Sequence, residues 1–143
     1  RIVVAALHDV TSERTAVARF SSTLGPALPP LHCLPNQLQR ALVNLLQNGA
    51  QAAGPDGHVE VTTGSDGPWF FVRIEDDGPG IPDEHKSALF DPFFTTRAVG
   101  EGTGLGLYVA CEIIATHGGE IRVDSTLGTG SRFEVRLPVD LAM

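Results

Sequence analysis

Apolar residues recur every three or four positions in one early stretch and alternate with polar residues through most of the remainder. Leu38, Ala41, Leu42, Leu45 and Leu46 make one apolar face of a helix. Pro35 suits its first turn, and the cluster Gly54-Pro55-Asp56-Gly57 predicts its end near Ala53. TAVARF (15–20), HVEVTT (58–63), PWFFVRIED (68–76), GEIRVDS (119–125) and SRFEVRL (131–137) alternate and predict strands. Within PWFFVRIED, Phe70, Val72, Ile74 and Asp76 share a face. A second helix is predicted from about Leu105 to His117. It is apolar nearly all round, hence expected to be buried, and Gly118-Gly119 ends it. Residues 24–36 carry four prolines and read as a connection, with a short extended stretch at Leu31–Leu34. Asp77 to Gly106 is rich in glycine and proline with little periodicity, which in a compact domain marks a functional or mobile segment.

The predicted order is strand, helix, two strands, irregular segment, helix, two strands. The two close strand pairs are hairpins, so the sheet is mixed and mostly antiparallel. Such a sheet, covered on one face by helices, gives an α+β fold rather than a doubly wound parallel one. The 143 residues fit one domain spanning 1–143, with residues 1–12 as the tail of a preceding helix.

Composition narrows the partners. A net charge of -7 with no basic run argues against nucleic acid. The longest apolar runs fall far short of a membrane span, and no signal-peptide succession is present. A cytoplasmic domain without membrane contact is expected. Cys33 and Cys111 match no metal-binding spacing and read as two reduced thiols. The chain opens on Arg1, which reads as part of a larger protein.

Four groups of residues carry candidate chemistry, and each has a plain structural alternative. Asp76 falls on the core face of its strand, where a carboxylate is costly without hydrogen bonds. Gly78-Pro79-Gly80 then turns the backbone away, leaving space beside an acid suited to the exocyclic amine of adenine; a capping Asp at a turn is the alternative. Asn44 and Asn48 sit one turn apart with Gln37 and Gln51 on the polar helix face. Neutral amide oxygens there suit Mg²⁺, and an ordinary solvated face is the alternative. GEGTGLGL (100–107) places glycine at every second position before a helix, so an anion such as phosphate could reach backbone N–H groups. It matches neither the common P-loop nor the dinucleotide fingerprint, and a flexible loop would also explain it. LFDPFFTTR (89–97) puts Phe90, Phe93, Phe94 and Arg97 in the irregular segment, as a closing lid or as a satellite apolar cluster.

Taken in order, these stretches resemble the ATP-binding catalytic domain of sensor histidine kinases, within the wider group that includes gyrase, a heat-shock chaperone and mismatch-repair ATPases. ALVNLLQNGAQAA resembles the N-box, EDDGPGIP the G1 box, LFDPFFTTR the F-box and GEGTGLGLYVACEIIATHGGEI the G2 box; GTGSRFEVRLP closes the domain. The likeness covers roughly residues 30–138, and the wording of FFTTR and GEGTGLGL is most like nitrogen-regulation-type kinases. It implies a two-layer α/β sandwich of the Bergerat type and a lid at about 82–103. It implies Asn48 as the Mg²⁺ ligand, with Asn44 a second candidate. The implied ATP-binding set is Asn44, Asn48, Asp76, Gly78, Gly80, Ile81, Phe90, Phe94, Thr95, Arg97, Gly102, Thr103, Gly104, Leu105, Gly106, Leu107 and Thr129. Asp76, Gly78 and Gly80 would frame adenine, and the glycines at 102–106 would border the triphosphate.

The implied function is presentation of Mg·ATP for transfer of the γ-phosphoryl group to a histidine on a separate dimerisation domain, with a response regulator downstream. Hydrolysing relatives carry a glutamate one turn before the metal-binding Asn. Asn44 stands there and cannot act as a base, which favours transfer over hydrolysis. None of His8, His32, His58, His85 and His117 has the usual acceptor setting, so no catalytic residue is assigned in this chain and the acceptor is expected upstream of Arg1. Gly49, Asp77, Arg97 and Leu34 stand where the family often has alanine, asparagine, lysine and a capping Asp. An anti-sigma-type protein serine kinase shares the pocket, and an ATP-gated binding module without transfer is the non-enzymatic alternative.

Overall fold

A computed structural model describes residues 19–23, 35–54, 56–86 and 106–138. The elements are β1 (Arg19–Thr23), α1 (Pro35–Ala53), β2 (His58–Asp66), β3 (Trp69–Asp76), the short α2 (Asp83–Lys86), α3 (Gly106–Thr116), β4 (Glu120–Thr126) and β5 (Gly130–Pro138). The five strands form one sheet in the order β1-β2-β3-β5-β4. Only β1 runs parallel to its neighbour; the other three pairings are antiparallel. The mixed, mostly antiparallel sheet and the α+β class agree with the sequence pattern.

Period-2 alternation puts one face of each strand into the core. Val59 and Val61 of β2, Val72 and Ile74 of β3, and Phe133, Val135 and Leu137 of β5 are all buried. They meet Leu38, Ala41, Leu42, Leu45 and Leu46 of α1, the stripe expected from the three–four spacing. Cross-strand register aligns Val61 with Ile74, Ile74 with Phe133 and Val72 with Val135, so the apolar layer is continuous across three strands.

The described part of the first strand is Arg19–Thr23, where Arg19 pairs with His58; it shares residues 19 and 20 with the expected 15–20 and runs beyond it, and residues 15–18 lie outside the described residues. Parallel pairing with β2 sets this register, which local alternation does not encode. The second helix is not buried all round. Only Ala110 and Ile114 of α3 are fully buried, while Glu112, Ala115 and Thr116 are exposed. It packs on α1 and β4 at the margin of the sheet rather than in a central layer. His117 just beyond it is buried, and its Nδ1 lies 2.8 Å from the Ile113 carbonyl, a structural contact at the helix end. The helix α2, with Asp83 and Glu84 in its first turn, was not expected in the irregular segment.

The other face of the sheet carries charge. Glu134 of β5 bonds Arg73 of β3 (3.0 Å) and Arg136 (3.0 Å), and Arg136 reaches Asp66 at 3.4 Å. Arg73 stacks on Phe71 at 4.8 Å from the ring centroid, and the Phe71 ring lies over Gly64 opposite it, filling the place of a side chain.

Candidate ATP-binding site

Asp76 is the last residue of β3, and its strand phase turns it to the helix-covered side, where it is 8% exposed. Val59 of β2 and Ser131 of β5 lie opposite it. Its Oδ1 accepts the Gly78 N–H at 2.9 Å. Burial pushes the Asp76 carboxyl above the usual carboxylate range; the N–H groups of Gly78 and Ser131 pull it back, and the adjacent charge of Asp77 adds to the rise. This is a desolvated acceptor held by backbone donors, the chemistry required to read an N–H on an uncharged heterocycle.

The turn after Asp76 runs against two other elements. A Cβ on Gly78 would lie 2.5 Å from the Ala52 carbonyl oxygen of α1. Gly80 has φ +81°, and a side chain there would collide with the Thr126 carbonyl. Gly128 N–H donates to the Pro79 carbonyl at 2.8 Å, and Ile81 N–H to Ser125 Oγ at 2.7 Å. The glycine loop is therefore pressed between the last turn of α1 and the β4–β5 turn. Asp77 closes its other side: its Oδ1 accepts the His58 N–H at 2.8 Å.

The amides lie on a helix stripe that starts elsewhere and ends at this loop. Asn44, Asn48 and Ala52 are successive i, i+4 positions of α1 and so share one side. Asn44 Nδ2 donates to the Gly106 carbonyl at 3.2 Å, tying α1 to the first residue of α3. Ala52 meets Gly78 at the other end. Eight residues of α-helix span about 12 Å. One stripe thus connects the buried acid with the N-terminus of α3, with Asn48 between them.

Asn44, Asn48, Asp76, Gly78, Gly80, Ile81 and Gly106 lie on this stripe and loop or bond to them, and Leu107 packs against the core. Thr129 is exposed in the β4–β5 turn, its N–H bonded to Thr126. Phe90, Phe94, Thr95, Arg97, Gly102, Thr103, Gly104 and Leu105, and with them most of the expected lid, lie outside the described residues. Sequence reasoning missed Ser125 and Ser131, both buried, with their hydroxyls 3.0 Å apart beneath the loop. The available signal was their phase: both are polar residues at inward positions of alternating strands. Among the described residues, no three His, Cys, Asp or Glu cluster as a metal site.

Residues 33–141 match the family described as the histidine kinase-, DNA gyrase B- and HSP90-like ATPases. The sensor histidine kinase ZraS of Escherichia coli O157:H7 is 41% identical over 119 residues, 83% of this chain and 26% of that protein. The mycobacterial sensor histidine kinase MprB superposes with a TM-score of 0.85 at 30% identity, covering 96% of this chain and 93% of that one. The catalytic domain of histidine kinase ThkA, solved nucleotide-free, gives 0.82 at 28% identity, with 96% and 91% covered. The chain belongs to this ATPase family, and it is an ATP-binding domain of the histidine-kinase kind. It spans about a quarter of the length of ZraS. No helix among the described residues is long and apolar enough to cross a membrane.

Proposed function

We propose that this domain holds Mg·ATP and presents its γ-phosphoryl group to a histidine on a separate dimerisation domain of the same protein, which then supplies a response regulator. The observation that supports the reading is the α1 stripe: at one end Ala52 abuts Gly78, whose N–H bonds the buried Asp76, and at the other Asn44 bonds the first residue of α3. A nucleotide bound along it would set its base against Asp76 and its phosphates toward Gly106, where helix N–H groups favour negative charge.

The donor set fits magnesium. Asn48 would hold the ion, with Asn44 beside it; neutral amides leave the remaining positions to phosphate oxygens and water, as Mg²⁺ prefers. Bound there, the ion would neutralise charge on the phosphates. The chain's own residues bind and orient. Asp76 accepts from the base, the glycine loop shapes the adenine slot, and Asn44 fixes the start of α3. Asn44 supplies a donor and no base for activating water, so positioning for transfer, rather than hydrolysis, is the chemistry available.

Titration with ATP, ADP and GTP in Mg²⁺ by calorimetry, beside Asp76→Asn, tests the reading. Binding selective for adenine that weakens by about 10–100-fold in the variant is expected, from losing a charge-assisted bond. Equal affinity for ATP and GTP, or an unaffected variant, refutes it.

A further inference from the structure

The β4–β5 hairpin does more than complete the sheet: it holds the glycine loop through backbone contacts and through the Ser125 side chain. Ser125 Oγ accepts the Ile81 N–H at 2.7 Å, lies 3.1 Å from the Gly130 carbonyl it donates to, and sits 3.0 Å from Ser131 Oγ. Both serines are buried. Ser131 in turn gives its backbone N–H to the Asp76 carboxylate. Gly130 lies so close to the Asp76 carbonyl that no side chain would fit there. One hydroxyl thus joins the far end of the loop, at Ile81, to the two residues that abut the base-reading acid.

We propose that Ser125 is a positioning residue for the nucleotide base: without touching ATP, it fixes the 77–81 loop at the distance from Asp76 that adenine requires. The inference rests on the ATP-binding reading above. It follows from how the loop is anchored. Among the described residues, hydrogen bonds from Ile81 to Ser125 and from Gly128 to Pro79 hold the loop to the hairpin. Only the first depends on a side chain, and its acceptor is the one that also faces Gly130 and Ser131. Loss of that hydroxyl leaves the Ile81 N–H and the Gly130 carbonyl short of a partner in a part-buried place, and the loop must move to hydrate them. The phosphate end of the stripe is held separately, by Asn44 on the Gly106 carbonyl, and should keep its geometry.

Ser125→Ala and the near-isosteric Ser125→Cys should be compared with wild type in this chain. Two readouts are needed: affinity for ATP and for adenosine, and amide hydrogen exchange at Ile81, Gly128 and, as a mid-sheet control, Val72. The expected result for Ser125→Ala is ATP and adenosine binding weakened by the same factor, about five- to tenfold. Exchange should quicken at Ile81 and Gly128 by at least about tenfold with Val72 unchanged, and Ser125→Cys should fall between. Unaltered affinity in a folded variant overturns the proposal, as does acceleration of Val72 together with Ile81, which would mark a general loss of stability. If Ser125→Ala does not fold, Ser125→Cys is judged by the same criteria. If wild type binds no ATP, the domain's assigned function fails by itself. The clamp is then judged by exchange, and an Ile81 amide indifferent to the substitution refutes it.

Discussion

Asp76 occupies a position that weakens the fold while giving the site its chemistry. Its carboxylate is desolvated, and its raised pKa means that the folded state disfavours the charged form relative to the unfolded chain. Asp76→Asn should therefore unfold at a temperature no lower than wild type in the absence of ligand, even as it binds ATP less well; a calorimetric scan of both checks this. A drop of several degrees would show that the charge itself supports the fold. Gly49 is the opposite case, a residue whose smallness serves no visible contact. A Cβ there would stand 3.5 Å from Val59 and 3.7 Å from Ile74, ordinary packing distances. Gly49→Ala should stabilise the domain by about 0.5–1 kcal/mol through helix propensity, measured by denaturant unfolding. Gly78→Ala, whose Cβ would press on the Ala52 carbonyl, should instead push the loop away from α1 and weaken ATP binding. The same substitution therefore has opposite consequences 29 positions apart, decided by what the new methyl meets.

At the scale of elements, α1 is the ruler of the site. One side supplies the core and the other the stripe from Gly106 to Gly78. Asn44→Ala removes the side-chain bond from α1 to the Gly106 carbonyl at the start of α3. It should cost about 0.5–1.5 kcal/mol in urea unfolding, and it should weaken binding of ATP more than of adenosine, since it loosens the phosphate end. Equal loss for both ligands would mean that α1 and α3 are not separately positioned. Much of this was legible beforehand because it follows from local periodicity. The limits of α1, the inward phase of Asp76 and the two hairpins each depend on residues within one stretch of at most 19 positions. What escaped the sequence was set by partners far along the chain. The register of β1 comes from β2, about forty residues on. The half-exposure of α3 comes from its place beside α1 and β4, which an all-apolar helix does not declare. Ser125 and Ser131 acquire a role only when β4 and β5 fold under a loop more than forty residues upstream.

Across the whole molecule, the two faces of the sheet carry acids displaced in opposite directions. On the helix side, Asp76 is raised by burial. On the open side, burial alone would raise Glu134, but the hydrogen bonds and charges of Arg73 and Arg136 outweigh it and hold its carboxyl below the usual range. The signs lead to an order of events on acidification. ATP recognition needs Asp76 ionised to accept an N–H, so affinity should begin to fall while the pH is still above the ordinary carboxylate value of about 4. Glu134 contributes stability that is fully present above its unfolded value of about 4.3 and is lost only as the pH drops through its lower folded value. Binding should therefore fail at a higher pH than the fold, leaving a window in which the domain is folded but does not hold nucleotide. Titration calorimetry and circular dichroism across the same pH series would locate both transitions. Glu134→Gln tells the two transitions apart. At pH 7 it should lower stability by about 1–2 kcal/mol, and it should flatten the stability profile below pH 4. The pH dependence of ATP affinity should stay where it was, because Glu134 lies on the face of the sheet away from the site. A shift of the binding profile in that variant would show that the two faces are coupled through β3 and β5, whose alternate residues carry the ion pairs on one side and Asp76 with Ser131 on the other.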